Sequence, residues 1–310
     1  MRSWGRHLCL LFALLAVAPA VFPCIGSKCV VLARSKFRLP FPEPCSAGKK
    51  EHWDYHENGP STWGETYSTC NGNLQSPVML NIEDASRSPG WLLQLGDIDI
   101  KFHNYDSAAT GVFSNNGHSV NLDFNFTNII THPRVSISSP TASGVYYLQS
   151  LHFHWQSEHW IDHENYPLEM HMVHKDSTGE QILVIGYVFV PCERRLGRLF
   201  FSRSMAGMDE VAEAVEHLAD VGDTMSFTLA PQRVMPSNLR ACGYFAYTGS
   251  LTTPPCTEGV TWLVREAPMC VEERQLEAFY NVRDARNLPM AGNARPLQPI
   301  NGRTVLFLTC

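Results

Sequence analysis

The stretch Leu148–His174 reads LQSLHFHWQSEHWIDHENYPLEMHMVH, and two short apolar runs in it carry histidines at strand spacing. Side chains at i and i+2 of a β-strand project from the same face, so His152 and His154 present two imidazoles to one side. In the second run, Leu168–Val173, the same alternation brings His171 to one face. If the two runs pair, three neutral imidazoles converge without a fourth protein ligand. This donor set predicts a catalytic zinc site whose open position takes water.

The chain contains 13 histidines, so an H-x-H pair taken alone also fits a packing or surface feature of a half-buried strand. The third histidine, in phase on the next run and preceded two residues earlier by Glu169, favours the metal site. His174 lies an odd number of residues from His171 and therefore points to the opposite face. We exclude His174 as a ligand.

Length and composition limit the classes of binding partner that we expect for this chain. With 310 residues and 44% hydrophobic content, the chain can bury a large core as one big domain or two modest ones. A net charge of −6 gives no reason to expect nucleic acid or an anionic membrane as partner. The expected ligand is a small soluble molecule.

The N-terminal segment has the sequence pattern of a secretory signal peptide. A basic start, MRSWGRH, precedes the apolar run Leu8–Val17 and the small-residue segment Ala18-Pro19-Ala20. This pattern predicts a signal peptide over residues 1–20, with a buried N-terminal helix as the alternative. No later run is long enough for a membrane span, and the final residues have no hydrophobic lipid-anchor signal. We therefore expect a secreted, soluble protein without a membrane anchor.

The cysteine count predicts disulfides. Cys9 falls in the signal, which leaves nine of ten cysteines in an oxidising compartment. Nine is odd, so one unpaired thiol allows a disulfide-linked oligomer. The sequence alone does not give the pairing of most of them, namely Cys24, Cys29, Cys45, Cys192, Cys242, Cys270 and Cys310.

Residues 21–50 hold three cysteines and a proline-rich PFPEP segment, and they predict an N-terminal extension before a domain at 51–310. In that domain, strand patterns with turn residues between them predominate: Leu92–Ile100, Val120–Phe126, Tyr146–Trp155, Leu168–His174, Ile182–Val190 and Gly259–Val264. Helices are predicted over Met205–Ala219 and Glu272–Tyr280. The fold class is mixed α+β and β-dominated, with a large central, twisted, mostly antiparallel sheet and short peripheral helices. A glycosylation sequon, Asn125-Phe126-Thr127, falls inside a predicted strand.

LHFHW, SEHWID and LEMHMVH together resemble the zinc-binding core of the α-class carbonic anhydrases, and the resemblance extends from about His52 to Leu308. Within that family, the sequence is similar to the secreted, extracellular type found in animals. The resemblance implies the α-carbonic anhydrase fold and a zinc lyase that interconverts carbon dioxide and bicarbonate. It also implies a zinc-bound hydroxide as nucleophile and a histidine as proton shuttle.

The resemblance assigns residues around the nucleophile. The segment YTGSLTTPPCTEGVTW, which ends at Trp262, is similar to the family's catalytic loop, where Thr252 would orient the hydroxide and Glu158 would accept the threonine proton. It also implies a disulfide between Cys70 and Cys256. The family pattern matches His118 in the segment NNGH to the proton shuttle. An exposed turn histidine is the alternative.

Supporting positions follow from the same resemblance. Glu169 is placed to accept from His171, and the main-chain carbonyl of Asn293 would accept from His154. Where the family has a glutamine two residues before the first zinc histidine, this chain has Ser150, which predicts altered metal affinity without its loss. The apolar wall for carbon dioxide matches Val173, Val184, Leu251, Val260 and Trp262, and Thr253 belongs to the same substrate pocket. The polar residues of the family's water network match Tyr55, Asn116 and Asn121. For each valine singly, core packing is the alternative.

Two other functions compete with the zinc lyase. One is a binding or matrix protein that kept the fold and lost turnover, although the three histidines in phase argue against it. The other is a zinc hydrolase of esters or peptides, for which the sequence contains no H-E-x-x-H helix.

Overall fold

A computed structural model of the protein describes residues 53–87, 99–138, 143–192, 204–236 and 243–308. The chain divides into two units, Met1–His52 and Trp53–Cys310, and every described residue belongs to the second. The predicted signal peptide and the predicted extension at 21–50 lie outside the described residues. The same holds for Cys24, Cys29, Cys45, Cys242 and Cys310.

The described part of the chain forms fifteen strands, most of them in one large sheet. In chain order they are β1 Met79–Leu80, β2 Ser86–Arg87, β3 Asp99–His103, β4 Ala109–Asn115, β5 Val120–Phe124, β6 Arg134–Ser138, β7 Ser143–His154, β8 Trp160–Ile161, β9 Leu168–Lys175, β10 Ile182–Pro191, β11 Thr224–Leu229, β12 Tyr244–Ser250, β13 Glu258–Arg265, β14 Met269–Val271 and β15 Leu306–Leu308. Three α-helices accompany them: α1 Trp63–Thr66, α2 Ala206–Glu216 and α3 Glu273–Tyr280.

The large sheet contains 13 strands, with the main order β11-β4-β5-β7-β9-β10-β13-β12-β15-β2. Nine of its twelve described pairings are antiparallel, and the parallel ones join β10 to β13, β10 to β14, and β15 to β2. The prediction of a β-dominated fold with a mostly antiparallel sheet and short helices is confirmed.

Most predicted elements are present with shifted ends. The strand predicted at Leu92–Ile100 lies mainly outside the described residues, and the described strand there is β3. Helix α2 stops three residues before the predicted end, while Leu218 beyond it stays buried. In α3, the side chains of Glu272 and Gln275 form a capping box that fixes the helix start.

The two faces of the sheet bury different clusters. Along β9, Leu168, Met170 and Met172 enter the main core, which α2 and α3 cover. The alternate residues of β9 face a second cluster that includes Val184 and Trp262. Strand periodicity therefore places His171 on the face away from the main core.

A β-bulge interrupts the pairing of β7 with β9 between Leu148 and Ser150. Gln149 is exposed there, and its amide nitrogen donates to the carbonyl oxygens of Tyr147 at 2.9 Å and Leu148 at 3.3 Å. Beyond the bulge the register is regular, and His152 lies directly opposite His171. The bulge thus sets which residues of β7 lie on the same sheet face as His171.

The sequon falls outside the sheet. Strand β5 ends at Phe124, and Asn125 is exposed in the following segment. The prediction that it lies within a strand is wrong, because the pairing of β5 with β7 stops at Asp123.

Two disulfides link described residues: Cys70 to Cys256, as the resemblance implies, and Cys192 to Cys270. The first connects the segment before β1 to the loop between β12 and β13. The second connects the end of β10 to the paired strand β14. Within the described ranges, no helix has the length and apolar character needed to cross a membrane.

Candidate active site

Three imidazoles converge where β7 and β9 pair. His152, His154 and His171 each offer one nitrogen, and these three atoms lie within 4.8 Å of one another. Their ring centroids are 4.7 to 5.2 Å apart. The pairing predicted from the i, i+2 spacing therefore brings the three side chains to one point.

Hydrogen bonds fix the tautomers of two of these rings. Nδ1 of His154 donates to the carbonyl oxygen of Asn293 at 2.7 Å, which leaves the lone pair of Nε2 facing the cluster. Nε2 of His171 donates to the carboxylate of Glu169 at 2.7 Å, which leaves the lone pair of Nδ1 facing the cluster. Neutral imidazoles with directed lone pairs are the form in which histidine binds a metal.

Burial keeps these rings neutral. It lowers the pKa of His154 to about 4, and it also lowers the pKa of His152 and of His171. Burial alone would raise the pKa of Glu169, but the charges and hydrogen bonds of His159 and His171 hold that pKa well below its usual value. Glu169 is therefore an ionised acceptor at neutral pH.

The cluster leaves buried polar atoms without a hydrogen-bond partner among the described residues. They include Nε2 of His154 and Oε2 of Glu158, which lie 3.4 Å apart. A buried polar atom without a partner costs about 1–3 kcal/mol, so such atoms usually mark a bound water or ion. The three nitrogens and the neighbouring carboxylate fit a Zn²⁺ ion with an open coordination position.

A hydroxyl and a carboxylate lie beside the cluster. Thr252 is buried in the loop between β12 and β13 and hydrogen-bonds to Glu158. Oε1 of Glu158 accepts from the main-chain N–H of Arg295 at 2.9 Å. Burial raises the pKa of Glu158 to about 7, against the lowering effects of His171 and these two hydrogen bonds.

A profile of the eukaryotic-type carbonic anhydrases matches residues 58–309. The chain belongs to the eukaryotic-type carbonic anhydrase family. It is 29% identical over 276 residues to "Carbonic anhydrase 7" of Homo sapiens, covering 82% of this chain and 96% of the relative. It is 31% identical to the Mus musculus protein of the same name, with the same coverage. It is also 31% identical over 269 residues to "Carbonic anhydrase" of Pectobacterium atrosepticum, covering 84% of this chain and 93% of the relative.

The apolar residues predicted for the carbonic anhydrase pocket share one cluster. Val173, Val184 and Trp262 lie directly opposite one another on β9, β10 and β13. The ring of Trp262 meets that of His171 edge to face, with centroids 4.8 Å apart. Leu251 and Val260 belong to the same cluster, and Thr253 follows in the loop.

His118 lies in the turn between β4 and β5, half-buried, with its ring stacked on Trp53 at a centroid distance of 3.7 Å. The side-chain oxygen of Asn116 accepts from the main-chain N–H groups of His118 and Ser119, both at 2.9 Å. Trp53 also meets Trp63 edge to face at 5.2 Å. Trp53 and Trp63 thus form a small aromatic cluster that also supports His118.

The remaining predicted polar residues line the same region. The hydroxyl of Tyr55 is buried without a hydrogen-bond partner among the described residues, and burial followed by the charge of Glu158 raises its pKa. Asn121 lies opposite His152 in the pairing of β5 with β7. His174, which the sequence excludes as a ligand, points into the main core, where Nδ1 donates to the Met172 carbonyl oxygen and Nε2 accepts from Tyr105.

Sequence reasoning missed the residues behind Glu169. His159 bridges the carboxylate of Glu169 and the hydroxyl of Tyr247, with both contacts at 2.7 Å, and Tyr247 contacts the hydroxyl of Ser76 at 2.8 Å. Arg295 is buried as well, and its guanidinium donates to Gln75 and to the carbonyl oxygens of Ser76 and Cys70. The signal for His159 was its place beside Glu158 in SEHW, but no spacing rule links it to Glu169.

Proposed function

We propose that this member of the carbonic anhydrase family catalyses the reversible hydration of carbon dioxide to bicarbonate and a proton. One observation carries the proposal: three neutral imidazoles converge beside a buried hydroxyl and carboxylate. We also propose that Zn²⁺ is the cofactor, held by His152, His154 and His171. When bound there, Zn²⁺ supplies a hydroxide nucleophile near neutral pH, chemistry for which carbonic anhydrase itself is the standard example.

Thr252 and Glu158 would orient the nucleophile. Because Thr252 donates its proton to Glu158, its oxygen keeps a lone pair to accept the nucleophile's hydrogen. The main-chain N–H of Arg295 donates to Oε1 of Glu158, which prevents the carboxylate from rotating away. An attacking oxygen held in this way would present its own lone pair to the substrate.

Carbon dioxide has no net dipole, so its site needs an apolar wall next to the nucleophile. Val173, Val184 and Trp262 form a continuous row on the same sheet face as His171. Such a row cannot hydrogen-bond water strongly, and it would leave the small linear substrate free to approach. Leu251 and Val260 extend the wall towards the loop that carries Thr252.

His118 would carry the proton to solvent. An imidazole titrates near neutral pH and can both accept and release a proton. Its stacking on Trp53 and the main-chain hydrogen bond to Asn116 define the position of the turn. Tyr55, Asn116 and Asn121 would order the water molecules between the metal and this imidazole.

We further propose that the protein is secreted after cleavage of residues 1–20, with an extension at 21–50 before the catalytic domain. Two disulfides among the described residues support an oxidising compartment. With four of nine mature cysteines paired there, five remain, and this odd number would leave one for an intermolecular disulfide. The exposed position of Asn125 supports glycosylation at that residue.

Stopped-flow measurement of carbon dioxide hydration tests the activity. The wild-type protein should hydrate carbon dioxide rapidly, and His171→Ala should lose both its metal and its activity. The matched control is His217→Ala, which removes an exposed histidine at the end of α2 and should leave both intact. A zinc-loaded, folded wild-type protein without hydration activity would contradict the proposal and favour the binding protein.

A further inference from the structure

The three candidate ligands are not held equally. His154 and His171 are almost fully buried, at 0% and 1% exposure, and each donates its outer N–H to an acceptor 2.7 Å away. His152 is partly exposed. Among the hydrogen bonds of the described residues, none involves the imidazole of His152.

The residues around His152 explain this difference. Ser150 is two residues earlier on the same face, about 6.6 Å along the strand, too far for its short side chain to reach the ring. Gln149 has a long enough side chain, but the bulge exposes it, and its amide nitrogen donates to the Tyr147 and Leu148 carbonyl oxygens. Across the strand pair, Asn121 and Asp123 lie opposite His152 and Ser150 without a hydrogen bond to the ring.

An outer hydrogen bond fixes the orientation of a metal-bound imidazole and increases its basicity. His154 and His171 have this support from Asn293 and Glu169, whereas His152 has no such acceptor among the described residues. Rotation of the His152 ring away from the metal therefore breaks no protein hydrogen bond. Rotation of either other ring breaks one in a buried environment, where the loss costs most.

We propose that His152 is the exchangeable ligand, and that the metal enters and leaves through a state held by His154 and His171 alone. This inference rests on the proposed zinc site. It predicts that zinc exchange is faster than at a site whose three imidazoles all have protein acceptors. The residue that sets the exchange rate is Ser150, because it occupies the strand position from which a longer side chain reaches His152.

The test is the rate of zinc release to 2,6-pyridinedicarboxylate from the zinc-loaded full chain. Ser150→Gln supplies an amide oxygen to His152 and should slow release by about 10- to 100-fold, a range drawn in part from carbonic anhydrase itself. Ser150→Ala should release zinc at the wild-type rate, because the serine hydroxyl does not anchor the ring. The matched control is Ser226→Gln, exposed on β11 three strands from Ser150, which should also leave the rate unchanged.

Zinc titration of the metal-free alanine variants gives a second readout, independent of any Ser150 variant. His152→Ala should bind zinc more tightly than His154→Ala or His171→Ala. Three results would overturn the inference while leaving the zinc site in place. They are zinc release from Ser150→Gln at the wild-type rate, zinc release from Ser150→Ala faster than from the wild type, and equal losses of zinc affinity in the three histidine-to-alanine variants. Failure of the wild-type protein to bind zinc would overturn the proposed function and this inference together.

Discussion

Removal of the Cys70–Cys256 disulfide should reduce stability and activity together, whereas removal of Cys192–Cys270 should reduce stability alone. The matched changes are Cys70→Ala with Cys256→Ala, and Cys192→Ala with Cys270→Ala, so that neither variant gains a free thiol. The first bridge lies beside the catalytic loop, because Cys256 follows Thr252 by four residues. The second ties β10 to β14.

The sequence separations set the expected size of the stability loss. They are 186 residues for the first bridge and 78 for the second. The chain-entropy relation gives about 5 kcal/mol and about 4.5 kcal/mol for loops of these lengths. Since the free energy of unfolding of a domain is about 5–15 kcal/mol, each variant should unfold at much lower urea concentration and remain folded only at low temperature.

The effect on activity depends on contacts near the first bridge. Cys70 and Cys256 pack with Trp63, and the Cys70 carbonyl oxygen accepts from Arg295, whose main-chain N–H holds Glu158. Loss of this bridge should loosen Thr252 and Glu158 even where the chain is folded. Urea unfolding at low temperature would give the stability of each variant, and stopped-flow hydration under folding conditions would give kcat/KM. Equal kcat/KM values in the two variants would refute the claim that the first bridge supports the catalytic loop.

Three further outcomes are expected. His118→Ala should lower kcat in weak buffer but leave kcat/KM for carbon dioxide nearly intact, with rescue by imidazole; normal turnover in dilute buffer would assign the shuttle elsewhere. Thr252→Ala should keep its zinc, by metal analysis, and lose on the order of 100-fold in kcat/KM, and unchanged kcat/KM would contradict its orienting role. Burial lowers the pKa of His174 to about 3, below an unfolded value near 6.5, so its contribution to stability is complete above pH 6.5 and is lost as the pH falls towards 3. Between pH 6.5 and pH 4.5, protonation of the unfolded state lowers the free energy of unfolding by about 3 kcal/mol through His174. In urea titrations over this range, His174→Gln should lose about 3 kcal/mol less of its free energy of unfolding than the wild type. The same pH dependence in both proteins would exclude His174 as the source of the acid destabilisation.

Most of the candidate site could be predicted from the periodicity of the strands. The i, i+2 spacing of His152 and His154 and the phase of His171 predicted the convergence, because a strand has only two faces and one of them fills the main core. The same rule placed His174 in the core. Main elements such as β9, β10 and α3 were also predicted, since their apolar residues recur with a clear period.

Contacts between distant segments could not be predicted from local pattern. His159 reaches Tyr247 across 88 residues, and Arg295 reaches Cys70 across 225. The Cys192–Cys270 pairing belongs to the same class, because it depends on the parallel pairing of β10 with β14. The bulge at Gln149 left no periodic signal either, since a single extra residue changes the face of every residue before it.

Zinc stoichiometry in purified protein, measured by elemental analysis, is the direct test of a metal site formed by His152, His154 and His171. Wild-type protein should contain about one zinc per chain, and His171→Ala almost none. His174→Ala should retain the metal, because that imidazole lies on the opposite face and bonds to Tyr105 and Met172. A stoichiometric amount of zinc in folded His171→Ala would contradict the assignment of the metal site.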